Sequence, residues 1–293
     1  MTDSTTPTAN ALLNALCYPE EESSSCHNSR FHNVIANAKM AAIERKDESE
    51  AFQIWCAQMI DSIQRSFIGA FNNLKVGLFY EAWCQFERCE IDILSLTRHY
   101  PHTEEDPHRI AYIEEMICRW QALYPYKVFF SPELLKKRME CSICGARVSP
   151  RSDCGHEKSK IYLGEMCYHK VTEVEVLGIS VVQNPVQRYS VAFLSAGKDG
   201  EPVDHYNYGN IKFIAERLDS AFHGWDSHLT TRTIVASEVA HLDPVQPCPC
   251  LSGKNFGDCC KGKGEITVPH LQFQLYVQPS KNLPATELLL GEA

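Results

Sequence analysis

The sequence predicts an α+β protein in which helices come first and strands follow. Three observations support this prediction: helical spacing of apolar residues through the first 140 residues, alternation of apolar and polar residues after residue 141, and two clusters of cysteines in the second half. The predicted divisions are a flexible arm over 1–27, a helical domain over 28–140, a β region with one helix over 141–240, a cysteine-rich module over 241–264, and a C-terminal strand and tail over 265–293.

Two apolar stripes predict two antiparallel helices in the N-terminal half, and both stripes are expected to form core. The stripes comprise Phe52, Trp55, Met59, Ile63, Phe67 and Phe71, then Leu78, Ala82, Trp83, Phe86, Ile93 and Leu96. The glycines and asparagines near residues 72–77 predict the break between them. Further helices are expected at Asp106–Pro107 and, as a short basic helix, at Ser131–Pro132, because a capping residue followed by proline signals a helix start.

The second half has the texture of a β protein. Apolar and polar residues alternate in the segments VTEVEVLGISVV, VQRYSVAFL and HLQFQLYV, which predicts strands there. One helix is expected from Gly209 to Phe222. The prolines within residues 234–247 predict a linker before the last cysteine cluster.

Charge and composition narrow the class of protein. The chain has 293 residues and a formal net charge of −9, from 28 basic and 37 acidic side chains, so its field opposes non-specific binding to nucleic acid. No apolar run reaches the roughly 18 to 20 residues that span a bilayer, and the first residues lack a basic stretch followed by an apolar one. We therefore expect a cytoplasmic protein whose 14 cysteines stay reduced and serve metal binding or packing.

Four cysteines near the C-terminus, Cys248, Cys250, Cys259 and Cys260, predict a zinc site. Their C-x-C-x8-C-C spacing gathers four soft sulfur ligands, which suits tetrahedral Zn²⁺ and leaves no open position for catalysis. A stretch this short has little apolar core of its own. Its folding is therefore expected to depend largely on the metal.

The segment PCPCLSGKNFGDCC resembles the SEC-C motif, the zinc-binding tail of the preprotein translocase ATPase SecA and of many other bacterial proteins. It departs from the usual pattern at Leu251, where glycine is common, and at Gly257–Asp258, where basic residues are common. The resemblance implies a zinc-dependent docking module, used in SecA for the export chaperone SecB and for the ribosome. The expected partner-binding residues are Lys254, Phe256, Lys261 and Lys263.

A central cysteine and histidine cluster predicts a second zinc site. Cys141 and Cys144 form a C-x2-C pair typical of a zinc knuckle, and two of Cys154, His156 and Cys167 are expected to complete the tetrahedron, with His169 as a weaker substitute. The preferred set is Cys141, Cys144, His156 and Cys167, with Cys154 a neighbouring thiol or an exchange partner of His156. The block around this cluster resembles a zinc-ribbon segment of uncharacterised bacterial proteins that also carry SEC-C tails. Two structural zinc ions are expected in all.

The leading functional hypothesis is a zinc-binding, non-catalytic adaptor that docks a protein or ribosomal partner through its SEC-C motif. One alternative is an enzyme or toxin-like effector whose zinc sites support the fold, although no phosphate-binding glycine loop or nucleophile elbow is present in the sequence. Another is weak nucleic-acid binding through a basic cluster in the ribbon. That cluster comprises Lys136, Lys137, Arg138, Arg147 and Arg151. His99, His102 and His108, with their acidic neighbours, are expected to lie in a solvated loop.

Overall fold

The computed structural model describes residues 6–19, 29–152, 154–195 and 202–278. Within these residues helices dominate the N-terminal region and small antiparallel sheets follow, which confirms the predicted α+β class. The helices are α1 (Ala9–Ala15), α2 (Ser29–Glu44), α3 (Glu48–Lys75), α4 (Phe79–Leu96), α5 (Ile110–Ala122), α6 (Gly209–Arg217) and α7 (Phe256–Cys259). The strands are β1 (Phe129–Cys141), β2 (Arg147–Val148), β3 (Ile161–Tyr162), β4 (Glu165–Met166), β5 (His169–Val182), β6 (Leu194–Ser195), β7 (Pro202–Val203), β8 (Trp225–Val235) and β9 (Glu265–Leu275).

The chain divides into two compact units, each built from non-contiguous segments. The first unit comprises Met1–Asn73, Tyr80–Cys118 and Tyr126–Ala192, and the second comprises Leu74–Phe79, Arg119–Pro125 and Phe193–Ala293. The central cysteine cluster belongs to the first unit and the C-terminal cluster to the second. Among the described residues, no helix combines the length and the apolar character needed to cross a membrane.

The first unit has a helical core made by most of the two predicted stripes, except that Leu78, predicted as core, is exposed just before α4. Its fully buried aromatic residues include Phe67 on α3 and Phe86 on α4, whose ring centroids lie 6.3 Å apart. The break between the two helices falls at Gly77, which has a φ of 80°, a conformation that glycine adopts without steric cost. The position of this break confirms the sequence prediction.

The predicted basic helix at Ser131–Pro132 is wrong, because these residues lie in strand β1. That strand pairs antiparallel with β5 from Phe129 opposite Val182 to Cys141 opposite His169. The β-branched residues of β5 supply a cross-strand partner that outweighs the local helix-start signal. The N-terminal region is therefore helical only as far as α5, among the residues described there.

The prediction of a solvated histidine loop is also wrong at the C-terminal end of the loop. His108 and Asp106 are buried, and the His108 Nδ1 atom lies 3.1 Å from an Asp106 carboxylate oxygen. Hydrogen bonding to His108 outweighs the effect of burial and lowers the pKa of Asp106. The His108 Nε2 atom lies 3.0 Å from the Leu13 carbonyl oxygen, so this pair links α1 to the loop before α5. Arg109 has a φ of 62°, a left-handed conformation that does not continue a helix, and α5 begins at Ile110 rather than at Asp106.

The second unit contains a long hairpin made by β8 and β9. The two strands pair without a register break from Trp225 opposite Leu275 to Val235 opposite Glu265. At one end, the Trp225 ring contacts Trp120 edge-on with a centroid distance of 4.9 Å. The predicted strand at HLQFQLYV thus forms most of β9, whereas the predicted helix from Gly209 ends at Arg217, before Phe222.

Candidate metal centres

The SEC-C cluster brings its four predicted ligands together. The Sγ atoms of Cys248, Cys250, Cys259 and Cys260 all lie within 4.8 Å of one another. The Cys250–Cys248, Cys250–Cys259 and Cys260–Cys259 separations are 3.3, 3.5 and 3.7 Å. A tetrahedral zinc ion with Zn–S bonds of about 2.3 Å separates its sulfurs by about 3.8 Å. The cluster therefore has nearly the dimensions that zinc requires.

Two short backbone structures position these thiols. The first pair lies on a turn in which the Leu251 amide donates to the Cys248 carbonyl oxygen over 3.0 Å. Leu251 has a φ of 54°, the left-handed conformation that explains why glycine is usual at this position of the motif. The second pair ends the short helix α7, where the Cys260 amide donates to the Phe256 carbonyl oxygen over 3.1 Å.

An apolar core lies directly beneath the SEC-C thiols. Phe256 is buried in it, together with Cys248 and Cys260 of the cluster and with residues of the adjacent strands and turn: Ile234, Val239, Ile266 and Val268. The motif itself supplies only Phe256 and the cysteines to this core, and the remaining apolar residues come from the flanking segments. Because residues 236–264 connect β8 to β9, the cluster closes one end of the hairpin.

Local polar groups prepare the SEC-C thiols for a cation. Hydrogen bonding from Ser252 lowers the pKa of the Cys250 thiol to about 6, whereas burial raises the pKa of Cys248 to about 12. The Lys263 ammonium lies 3.7 Å from the Cys260 sulfur. One thiolate is thus favoured before the metal binds, and the cation itself would deprotonate the rest.

The docking residues predicted for the motif separate into two groups. Lys254 and Lys261 are exposed. Phe256 is only 4% exposed, so its prediction as a contact residue is corrected: its ring supports the site from below. Lys263 is exposed as a residue, but its ammonium faces the cluster. The spacing of the motif alone does not predict that the Phe256 ring is buried or that the Lys263 ammonium faces the cluster.

The central cluster groups Cys141, Cys144, Cys154 and His156, whose ligand atoms lie within 4.8 Å of one another. Cys141 and Cys144 lie on a tight turn in which the Gly145 amide donates to the Cys141 carbonyl oxygen over 2.9 Å. The Cys154 sulfur lies 3.5 Å from His156 Nδ1. Three sulfurs and one imidazole are a zinc-finger type of ligand set.

Cys167 lies beside this group, and its sulfur is 3.8 Å from that of Cys141. Burial and hydrogen bonding to Cys141 raise the pKa of Cys167 to about 11. Burial also opposes ionisation of Cys141, but hydrogen bonds from the backbone amides of Cys144 and Ile143 outweigh it and lower the pKa of that thiol to about 6. The preferred set with Cys167 stays a prediction, beside a compact group that contains Cys154. His169 lies opposite Cys141 in the β1–β5 ladder.

The metal-binding segment, residues 141–169, is anchored to the helices of its own unit. The turn between β3 and β4 places Leu163 and Gly164 in left-handed conformations, with φ of 45° and 74°. Next to that turn, the buried Lys39 ammonium lies 2.5 Å from a Glu165 carboxylate oxygen. This ion pair was not predicted, because it joins residues that are far apart in sequence.

Replacing Gly164 by alanine is expected to destabilise this anchor by about 2–4 kcal/mol. A Cβ at this position would lie 2.9 Å from the Ala51 carbonyl oxygen and would also force a side chain into a left-handed conformation. The matched control is Gly77→Ala, which carries the same conformational strain at φ 80° but meets only Phe79 at 4.0 Å, and should cost about 1 kcal/mol. Urea unfolding measures both, and equal losses would contradict a close contact at Gly164.

A groove of about 900 Å³ lies next to the central cluster. Its walls come from the α2–α3 corner and from the metal-binding segment. They include the candidate ligand His156 and the apolar side chains Ile43, Ile143, Leu163 and Met166.

The predicted basic cluster is partly neutralised by acidic side chains on strands β1 and β5. Lys137 forms an ion pair of 2.6 Å with Glu175, and Arg138 forms one of 2.8 Å with Glu140. The remaining members, Lys136, Arg147 and Arg151, are exposed. Because acidic side chains compete for its cations, the ribbon presents a weaker attraction for phosphates than the sequence indicated.

Comparison with known proteins agrees with the C-terminal geometry. Residues 246–261 match the family model of the SEC-C motif. No curated protein matches the chain, and no solved structure does. The match spans all four cysteines of the C-terminal group. The chain therefore carries a SEC-C motif whose thiols are arranged to hold a metal ion.

Proposed function

We propose that the protein is a zinc-binding, non-catalytic, cytoplasmic adaptor that docks a protein or ribosomal partner through its SEC-C motif. The observation that carries the proposal is the pair of compact ligand groups, one with four sulfurs and one with three sulfurs and an imidazole. Soft ligands of this kind select zinc over the hard cations magnesium and calcium. Four protein ligands leave no position for a reacting water, so both ions have structural roles.

The SEC-C motif is a suitable docking module because its backbone is held before a partner arrives. The turn and α7 are tied by backbone hydrogen bonds, including that from the Phe256 amide to the Gln246 carbonyl oxygen over 2.8 Å. Rigid presentation lowers the ordering cost of binding. Lys254 and Lys261 are the exposed cations of this module, and an acidic surface on a protein or on ribosomal RNA is the chemistry they would meet.

The Lys254→Glu/Lys261→Glu variant is expected to lose at least about ten-fold in partner affinity while keeping its zinc, because it reverses two surface charges without touching a ligand. Ribosome co-sedimentation and titration with the purified export chaperone measure the affinity, and elemental analysis measures the zinc. The matched control reverses Lys127 and Lys212, which are exposed cations outside the motif. Equal binding by both variants and the unchanged protein would refute SEC-C docking but not zinc binding.

A further inference from the structure

The β1–β5 ribbon of the first unit is long and open on both faces. Its strands pair from Phe129 opposite Val182 to Cys141 opposite His169, and most of their side chains are exposed between these ends. Short segments extend the sheet at the two ends of β1: the two residues of β2 next to the metal-binding segment, and Val191, which pairs with Phe129. Two-stranded ribbons are marginally stable in water unless one face is covered.

One face of this ribbon is apolar along its length. Residues directly opposite each other share a face, and so do alternate residues along a strand. The pairs on this face are Phe130 with Val181, Pro132 with Ile179, Leu134 with Val176, and Lys136 with Val174. We call these eight residues the apolar face. Seven of them are apolar, and the one charged member, Lys136, lies at its far end.

A β-bulge keeps the apolar residues of β5 together. The register shifts between Glu133 and Leu134, so that Leu177 has no residue opposite it. Without this extra residue, Val176 and Val174 would point to the face opposite that of Ile179. The opposite face is more polar: it carries Ser131, Glu133 and Ser180 and the ion pair of Lys137 and Glu175, with the exposed Leu135 among them.

The apolar face is strongly exposed. Ile179 is 69%, Val181 66% and Val176 60% accessible. Together the apolar side chains present roughly 600 Å², at the upper limit of the largest patches on soluble monomers. Patches of this size on soluble proteins mark interaction surfaces.

We infer that a second copy of this chain covers the apolar face, with two ribbons packed face to face about a twofold axis. Burial of roughly 600 Å² per copy approaches the about 800 Å² per partner of standard interfaces. An apolar face whose one charged residue lies at its end can pack against a second copy of itself, as an isologous contact requires. Each outer face would be the polar one, so the pair would form a closed four-stranded sandwich with an apolar interior.

The position of Lys136 agrees with this arrangement. In a twofold pairing centred between the Pro132 and Leu134 pairs, the two Lys136 side chains lie at opposite ends of the interface. There each ammonium can reach solvent while its aliphatic stem covers the Phe130 end of the other copy. The single charge on the apolar face is thus kept from the centre of the interface.

Sedimentation equilibrium of the full chain tests the inference. The unchanged protein is expected at twice its monomer mass of 33.2 kDa, and Val176→Glu/Ile179→Glu is expected at the monomer mass, with its dissociation constant raised at least about 100-fold. The matched control is Leu135→Glu, which changes an exposed residue on the polar face and should leave the dimer intact. A monomeric unchanged protein, or a dimer that the double variant does not weaken, would overturn the inference.

A second measurement does not depend on the folding of the charged variant. A photoreactive phenylalanine analogue at Leu134 should crosslink to β1 or β5 of another copy, and the crosslinked peptides identify the contact by mass spectrometry. Crosslinks between copies that consistently avoid both strands would assign the dimer to another surface and overturn the inference. Crosslinks only within one chain would show that the chain covers its own ribbon, and would overturn it too.

Discussion

Replacement of Cys248 by alanine should remove one of the two expected zinc ions and unfold the SEC-C motif. Cys248 is 2% exposed and contributes both a ligand sulfur and a contact in the core around Phe256. Loss of one of four ligands opens the site, and structural zinc contributes on the order of 10 kcal/mol to the folding of small modules. We expect the second unit to lose at least about 5 kcal/mol, beyond the effect of an ordinary cavity.

Hydrogen exchange should show where this loss is felt. The amides of Phe256 and Cys260, which donate to Gln246 and Phe256, are expected to lose protection completely. At the same end of the hairpin, the Ile234–Ile266 pair should be protected less, because both side chains pack on the motif. The other end, where Trp225 packs on Trp120, should be protected almost as before.

The control for this experiment is Cys118→Ala, which removes an exposed thiol that lies outside both ligand groups. It should retain both zinc ions by elemental analysis and the same exchange pattern. If Cys248→Ala also keeps two zinc ions, or keeps the protection of residues 256–261, the SEC-C motif is held by its apolar core rather than by metal.

Local patterns predicted the parts of the fold that depend on local interactions. The stripes on α3 and α4 need only helical periodicity, and Gly77 marks the break by its own backbone preference. The ligands Cys248 and Cys260 are defined by spacing within a short stretch, which brings them together whatever the rest of the chain does. The long helices α3 and α4 and the C-terminal ligands were therefore accessible from the sequence, whereas α1, which lies in the predicted flexible arm and buries Leu12, was not.

Contacts between distant residues decided the cases that the sequence could not predict. Residues around Ser131 carry a helix-start signal, yet they pair with a strand that lies almost 50 positions later in the chain. The sequence neighbours of Phe256 are polar residues and glycine, as for a surface residue. Val268 and Ile234 from the flanking strands nevertheless bury it. The choice between Cys154 and Cys167 likewise depends on how β3, β4 and the start of β5 fold back on the knuckle.

Replacement of Cys154 by alanine is expected to release the central zinc, whereas replacement of Cys167 should leave two zinc ions per chain. Cys154 belongs to the group in which every ligand atom lies within 4.8 Å of the others. Cys167 is fully buried, and its raised pKa favours a neutral thiol that can donate to the Cys141 thiolate. We therefore expect Cys154 to be a ligand and Cys167 to support the site.

Cobalt substitution distinguishes this assignment from the set preferred on sequence grounds. Both sets contain three thiolates and His156, so the absorption of the cobalt form identifies the ligand types but not the third cysteine. The single-cysteine variants identify it, because Cys167→Ala should keep the three-thiolate spectrum at the central site and lose only about 1–2 kcal/mol of stability to the vacated volume. If Cys167→Ala instead releases the central metal and Cys154→Ala retains it, the set of Cys141, Cys144, His156 and Cys167 is the ligand set, and Cys154 is the supporting thiol.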